Sequence, residues 1–176
     1  MDHRENFLGL IPEISLAAMQ IHLADMHEPR DAADLVALLD AYARDLMGGG
    51  EPLTEFVKSR LPADLAKLPS AIVLLARVEG EAAGAAVCFE GYSTFAAAPL
   101  LNLHDFVVEP RFRGRGIAAR MLERLTEIAR ERGCCKITLE VLENNLRARG
   151  VYAKAGFAGY ELDPAAGKAL FLQKKL

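Results

Sequence analysis

The spacing of apolar and polar residues first indicates helices in the N-terminal part of the chain. Residues 30–47, RDAADLVALLDAYARDLM, place Leu and Tyr side chains along one helical face, and Pro29 stands at a plausible helix start. Thr54 can cap a second helix that runs to about Leu61. Pro62 is expected to bend or split the helical segment at that point, because proline lacks the N–H that a helix interior needs.

Apolar runs of strand length come after these helices. A weak alternation marks a first strand at 21–26. Two longer runs joined by a turn at Gly80 and Glu81 predict an antiparallel hairpin. The extended runs after residue 69 are 71–78, 82–95, 100–108, 136–141, 157–162 and 169–176.

Two more helices alternate with the later strands. One spans about Gly116 to Arg132, with a single apolar stripe, and the other covers NLRARGVYAKAG and stops at Gly156. This order of elements predicts an α/β (α+β) fold, a mixed sheet with helices on its faces. Residues 20–176 are expected to form one domain, and residues 1–19 an N-terminal arm of undefined structure.

Composition and charge narrow the class of protein. Apolar residues make up 52% of the chain, and the net charge of −3 argues against a general nucleic-acid binder. No apolar run reaches the roughly 20 residues that cross a bilayer. The N-terminus is broken by charges and Pro12, so it is a poor signal peptide, and we expect a cytoplasmic protein. Cys88, Cys134 and Cys135 form neither a disulfide framework nor a metal-binding pattern.

An arginine- and glycine-rich segment, VVEPRFRGRGIAARML, lies between a predicted strand and a predicted helix. Gly114 and Gly116 remove side chains where the helix begins, so an anion can approach the unpaired backbone N–H groups and the positive end of the helix dipole. Arg111, Arg113 and Arg115 add positive charge. The segment therefore suits a phosphate or pyrophosphate, with a solvated turn as the plain alternative.

Other motif interpretations of the chain are weaker. Gly114, Gly116 and Ala119 fit the dinucleotide pattern G-x-G-x-x-A, but EPRFR separates them from the strand, and the roughly 60 residues that remain are too few for that fold. A P-loop is excluded because no G-K-[ST] occurs. GYSTF lacks the last glycine of a nucleophile elbow. His22 and His27 do not share a helix face as metal ligands would.

Two motifs carry a resemblance to a known family. RFRGRG matches the R-x-x-G-x-G motif of the GNAT acyltransferase superfamily. The segment LEVLENNLRARGVYAKAGF resembles a second GNAT segment, in which the matching positions are Val141, Asn145, Ala148, Tyr152, Gly156 and Phe157. The resemblance covers residues 70–176 well and residues 20–68 by element order. Within the superfamily, HDFVVEPRFRGRGIAARML looks most like diamine and polyamine acetyltransferases, whose catalytic glutamate aligns with His104.

The resemblance implies a mostly antiparallel central sheet and direct transfer of an acetyl group from acetyl-CoA to a primary amine in a ternary complex. A small-molecule amine is the leading acceptor. A peptide or protein amine is an alternative, as is an acyl-CoA-binding module without turnover. A homodimer is expected because the terminal strands of the family often pair between subunits.

The resemblance also assigns roles to residues. Tyr152 would donate a proton to the departing CoA thiolate, since a phenol with a pKa near about 10 is protonated at neutral pH. Asn145 would hold its turn or bond the cofactor arm. The pantetheine arm would pair with the backbone of a splayed strand at Phe106, Val107 and Val108. The pyrophosphate would accept from the N–H groups of Arg113, Gly114, Arg115, Gly116, Ile117 and Ala118.

The proton acceptor is left open by the sequence. An amine must lose a proton to attack, and His104, Asp105, Glu90 or a water could take it. Imidazole has the most suitable intrinsic pKa, and strand alternation predicts that His104 and Asp105 lie on opposite sheet faces.

Four acidic residues of the N-terminal part form a solvated face or draw a cationic acceptor: Asp25, Asp40, Asp45 and Glu51.

Overall fold

A five-stranded sheet forms the centre of the computed structural model, which describes residues 19–160 and 171–174. The strands are β1 (Met19–Leu23), β2 (Ala71–Val78), β3 (Glu81–Ser93), β4 (Ala98–Val108) and β5 (Ile137–Leu139). The helices are α1 (Pro29–Arg44), α2 (Glu55–Leu65), α3 (Ile117–Glu131) and α4 (Leu146–Lys154). The strands are ordered β1 to β5 and are antiparallel, except that β4 and β5 run parallel. The predicted fold class is confirmed.

The two faces of the sheet bury separate cores. On one face, which we call the α1 face, Leu35 and Leu38 of α1 pack against Val73, Leu75 and Val87 of the sheet. On the opposite face, the α3 face, the apolar stripe of α3 packs with Tyr152 of α4 on alternate strand residues. Because β2 and β3 feed both cores, most of their residues are buried, as expected for strands covered on both sides.

Helix α3 approaches the sheet closely over Gly84. A Cβ at this position would lie 2.9 Å from Met121 Sδ and 2.9 Å from the Val107 carbonyl oxygen. Only glycine fits here without a shift, so it sets the height of α3 above β3. The loop that begins α3 is thereby held beside the end of β4.

Several predicted boundaries differ from the structure. Helix α2 continues through Pro62 to Leu65, because burial of Leu65 and packing of Leu61 against the α1-face core stabilise the last turn. Strand β1 begins at Met19 and ends at Leu23, and β5 is only three residues long. Residues 157–160 and 171–174 are not extended strand, and the rest of the two predicted final strands lies outside the described residues, as does most of the predicted N-terminal arm.

Candidate active site

Strands β4 and β5 separate partway along β4. They pair only from Leu101 to Leu103, whereas β4 continues to Val108. The Glu109 N–H donates to the Ala83 carbonyl oxygen of β3 at 2.9 Å. Because backbone groups along a strand point alternately to its two sides, the backbone of Val107 also faces β3, and that of Phe106 and Val108 faces the gap. This gap exposes strand edge that an extended ligand can pair with. It is available at Phe106 and at the Val108 N–H, whereas the Val108 carbonyl oxygen accepts from Arg113 Nε. Val107 instead buries its side chain in the α1-face core.

A β-bulge lies where the gap opens. Val87 pairs with Asp105 and Cys88 pairs with Leu103, so His104 is the extra residue. The His104 ring packs edge-on against Phe89, which lies on the α1 face, with ring centroids 5.5 Å apart. Asp105 shares that face with its partner Val87. The prediction that alternation separates His104 and Asp105 is therefore wrong, because the bulge shifts the alternation by one residue.

Asp105 is a half-buried carboxylate beside two other ionisable groups. Burial raises its pKa, and His104 partly opposes that shift. Burial also raises the pKa of Tyr42, a residue near the end of α1, with further contributions from Asp105 and Asp45. Within the described residues, Asp105 forms no ion pair with lysine or arginine. A cation entering from the α1 face would meet this carboxylate.

Tyr152 faces the same gap from the opposite layer. Its ring lies between Phe106 and Phe157, with centroid distances of 6.1 Å and 5.8 Å. Burial, followed by the proximity of Tyr42, raises the pKa of Tyr152 to about 12. Its hydroxyl makes no hydrogen bond within the described residues. In that part of the chain, the one fully enclosed side-chain polar atom without a partner is His22 Nδ1, so the Tyr152 hydroxyl is not fully enclosed. Because its pKa is raised, the hydroxyl remains protonated.

The arginine–glycine loop, residues 111–116, leads into α3. Gly114 and Gly116 have left-handed φ angles of 81° and 78°, and a Cβ at either position would meet no atom within 4 Å. Gly116 caps α3 without a side chain. Among the described residues, no acceptor pairs with the backbone N–H groups of residues 114–118. The N–H of Arg113 differs from the prediction, since it donates to the Pro110 carbonyl oxygen at 3.2 Å.

The three arginines of this loop have different surroundings. Arg111 pairs with Glu81 and Glu109 and lies over the Phe112 ring, so its charge is already compensated. Arg115 lies 5.6 Å from the same ring and forms no ion pair within 19–160 and 171–174. Arg113 donates through Nε to the Val108 carbonyl oxygen at 2.9 Å. Free N–H groups and an uncompensated guanidinium make this loop suited to a diphosphate.

Other predicted residues take structural positions. Asn145 caps α4 by accepting from Ala148 N–H at 3.1 Å, which leaves its amide N–H₂ free. Glu90 pairs with Arg132 at 3.0 Å near the end of α3, so it does not reach the gap. Asp40 accepts from Leu53 N–H and pairs with two cations of α1 and α2, and it belongs to the scaffold.

Neither a membrane span nor a metal site is found in the described ranges. No helix there is long and apolar enough to cross a bilayer. No cluster of three histidine, cysteine, aspartate or glutamate side chains suited to a metal ion occurs in the same ranges.

Solved structures share this fold. A ribosomal-protein-alanine N-acetyltransferase from Brucella melitensis biovar Abortus 2308 has a TM-score of 0.69 at 23% identity, over 83% of this chain and 96% of that chain. An aminoglycoside acetyltransferase from an uncultured soil metagenomic sample, solved with sisomicin, has a TM-score of 0.74 at 13% identity, over 91% and 97%. At these identities the likeness establishes the fold alone.

Sequence comparison places the chain in a family. The profile of the acetyltransferase (GNAT) family matches residues 35–157, more than half of the chain. The chain therefore belongs to the GNAT acetyltransferase family, and the predicted family is confirmed.

Two curated relatives match over shorter segments. An N-acetyltransferase of Archaeoglobus fulgidus is 38% identical over 82 residues, covering 46% of this chain and 56% of the relative. Thialysine N-epsilon-acetyltransferase of Bos taurus is 33% identical over 73 residues, covering 42% of each. The chain thus spans about half the length of these relatives.

Tyr42 is the residue at this site that sequence reasoning missed. Its helical spacing marked it as part of the apolar stripe of α1, and its ring does pack against the α1-face core. Nothing in the spacing shows that the charge of Asp105 raises the pKa of Tyr42, or that Tyr42 in turn raises the pKa of Tyr152. A tyrosine at the end of an otherwise aliphatic stripe was the only available signal.

Proposed function

We propose that this protein transfers an acetyl group from acetyl-CoA to the primary amine of a small molecule, directly within a ternary complex. The observation that carries the proposal is the gap between β4 and β5. It is bordered by the Tyr152 phenol on the α3 face and by His104 and Asp105 on the α1 face. A proton donor and a proton acceptor thus flank one opening in the sheet.

The residues around the gap fit a CoA thioester. The N–H groups at residues 114–118 and the Arg115 guanidinium would hold the diphosphate, and the open positions of Gly114 and Gly116 leave it room. The backbone of Phe106 and the N–H of Val108 would pair with the amides of the pantetheine arm. When bound, acetyl-CoA supplies the activated acetyl group and a thiolate leaving group.

Side chains of the chain would manage two protons during transfer. An amine that arrives as a cation first releases one proton to solvent, because an ammonium nitrogen has no lone pair with which to attack. His104 then takes one of the two protons from the neutral amine nitrogen as that nitrogen bonds to the acetyl carbon. Tyr152 gives one to sulfur as the carbon–sulfur bond breaks, and solvent then returns the proton from His104 to the phenolate. Asp105 carries the negative charge that attracts the amine in its cationic form.

A cationic small amine is favoured as the acceptor. Asp105 and Asp45 add negative charge at the α1 side of the gap, where Tyr42 also lies. Two of the matching proteins are named for amine substrates of this kind, thialysine and an aminoglycoside. The ribosomal-protein-alanine enzyme that shares the fold supports a protein amine as the alternative acceptor.

Thiol release from acetyl-CoA tests the proposal. A panel of diamines, thioether amines, aminoglycosides and a peptide with N-terminal alanine would be assayed with wild type and Tyr152→Phe. We expect acceptor-dependent release with a small cationic amine, and its strong reduction in the variant. Release with the peptide alone would favour the protein-amine alternative. CoA binding without release for any amine would identify an acyl-CoA-binding module.

A further inference from the structure

Arg113 connects three parts of the candidate site. Its Nε donates to the carbonyl oxygen of Val108, at the end of the open edge of β4. Its Nη2 lies 3.6 Å from Oδ2 of Asp45, the first residue after α1. Both side chains are about one third exposed, at 32% and 35%. The guanidinium therefore joins the arginine–glycine loop and β4 to the α1–α2 loop, residues 45–54.

Asp45 organises the first half of the α1–α2 loop. Its Oδ1 accepts from Met47 N–H at 3.0 Å, and its carbonyl oxygen accepts from the N–H groups of Gly48 and Gly50 at 2.8 Å and 3.1 Å. The Met47 carbonyl oxygen in turn accepts from the Tyr42 hydroxyl at 3.4 Å. A change at Asp45 can thus reach Tyr42, whose pKa the charge of Asp105 helps to raise.

The same guanidinium stands next to the proposed diphosphate site. Arg113 immediately precedes Gly114, and the free N–H groups of residues 114–118 come next along the chain. A diphosphate held there would attract Arg113, whose partner Asp45 carries a competing negative charge. Because one guanidinium is shared between two anions, occupancy of the diphosphate site and the ion pair with Asp45 are thermodynamically linked.

We propose that Asp45 is a positioning residue that couples CoA binding to the acceptor side of the site. Filling of the diphosphate site draws Arg113 away from Asp45 and loosens the α1–α2 loop so that it can rearrange around an amine. This inference rests on the proposed function, because it takes the arginine–glycine loop as the diphosphate site. The coupling is reciprocal, so whatever fixes the Asp45–Arg113 pair weakens CoA binding.

The variant Asp45→Asn isolates this charge. Asparagine retains an Oδ1 that can accept from Met47 N–H, but it removes the negative charge that faces Arg113. Calorimetric titration with CoA at low ionic strength should give binding about two- to five-fold tighter than in wild type, the range of a partly exposed ion pair. A variant that merely damaged the loop would not bind CoA more tightly.

Hydrogen exchange provides the second measurement. In wild type, CoA should accelerate exchange of the Met47, Gly48 and Gly50 amides, and in Asp45→Asn the added CoA should leave their exchange unchanged. Asp64→Asn is the matched control, since it removes a charge from the Arg60–Asp64 pair within α2, at 3.1 Å. This control should match wild type in CoA affinity and in the CoA response of the loop.

The outcomes separate this inference from the proposed function. Equal CoA affinity in wild type and Asp45→Asn, or wild-type loop amides that do not respond to CoA, would overturn the coupling while acetyl transfer stands. Wild-type protein that does not bind CoA would overturn both. Asp45→Asn and Asp64→Asn should have the same thermal unfolding temperature as wild type, which verifies that folded proteins are compared.

Discussion

The ring of Tyr152 packs against the ring of Phe106 across the opening between β4 and β5, with centroids 6.1 Å apart and planes inclined at 46°. Phe106 belongs to the strand edge that turns toward the gap, and Tyr152 belongs to α4. The contact therefore fixes the phenol at the place where the sheet splays. A variant of Tyr152 that loses only its hydroxyl oxygen retains the ring packing, so it tests the chemistry of the phenol by itself.

Tyr152→Phe should retain the fold and lose turnover. The phenyl ring keeps its contacts with Phe106 and Phe157, whereas the proton donor to the leaving thiolate is gone. We expect kcat to fall by about 10²- to 10⁴-fold, the usual contribution of a general acid, with CoA affinity unchanged. Thiol-release kinetics and calorimetry measure the two quantities. Because burial raises the Tyr152 pKa to about 12, the wild-type donor should stay protonated through moderately alkaline pH.

Tyr92→Phe is the matched control for this variant. Tyr92 lies on β3 and is 63% exposed, so loss of its hydroxyl should change neither kcat nor CoA affinity. Equal kcat in wild type and Tyr152→Phe would show that the phenol is only a packing residue.

Gly116→Leu should weaken CoA binding far more than Gly133→Leu. Both glycines have left-handed φ angles, 78° and 69°, both flank α3, and a Cβ at either one meets no atom within 4 Å. The two substitutions therefore carry a similar backbone cost of about 1–2 kcal/mol. Only at Gly116 would the side chain stand where a diphosphate meets the N–H groups. Calorimetry should show at least a tenfold difference, and equal losses would place the diphosphate elsewhere.

The sequence was most informative where motif spacing maps onto local structure. The loop from Arg111 to Gly116 does lead into helix α3, and Tyr152 does lie beside Phe106 of the splayed strand β4. Strand alternation failed at His104, because a single extra residue forms a bulge and no residue type there announces it. The contact between Arg113 and Asp45 was also beyond reach, since it depends on how α1 crosses the sheet.

His104→Gln should reduce kcat/KM by about 10²- to 10⁴-fold if the imidazole takes the amine proton. Asp105→Asn should instead raise the KM for the amine, because it removes the half-buried negative charge. Rate measurements from pH 5 to 9 with one amine acceptor distinguish the two roles.

If Asp105 rather than His104 is the base, removal of the imidazole should shift the pH dependence of the rate. Burial raises the Asp105 pKa and His104 partly lowers it, so removing the imidazole should raise that pKa further. A His104→Gln variant that stays active, with its acidic loss of activity moved to higher pH, would identify Asp105 as the base.

An ion cluster of β1, β2 and α1 residues stabilises the packing of α1 on the sheet. Arg77 of β2 donates to Asp31 at 2.7 Å and to Asp34 at 2.8 Å, and His22 of β1 lies 3.2 Å from Asp31. Arg77 and Asp31 side chains are each about 10% exposed. Burial alone would raise the Asp31 pKa, but the Asp25 N–H, Arg77 and His22 outweigh it and lower that pKa.

Arg77→Met should cost up to about 3 kcal/mol of unfolding free energy at pH 7, because it leaves Asp31 charged and nearly buried without its arginine partner. Arg44→Met, which breaks an exposed pair with Asp40, should cost under about 1 kcal/mol. A carboxyl with a lowered pKa contributes stability above its unfolded value of about 3.9 and loses it as pH falls through the folded value. The difference between wild type and Arg77→Met should therefore shrink below about pH 4. Urea unfolding at pH 7 and pH 3 measures it, and a difference that does not depend on pH would show that Arg77 acts through packing alone.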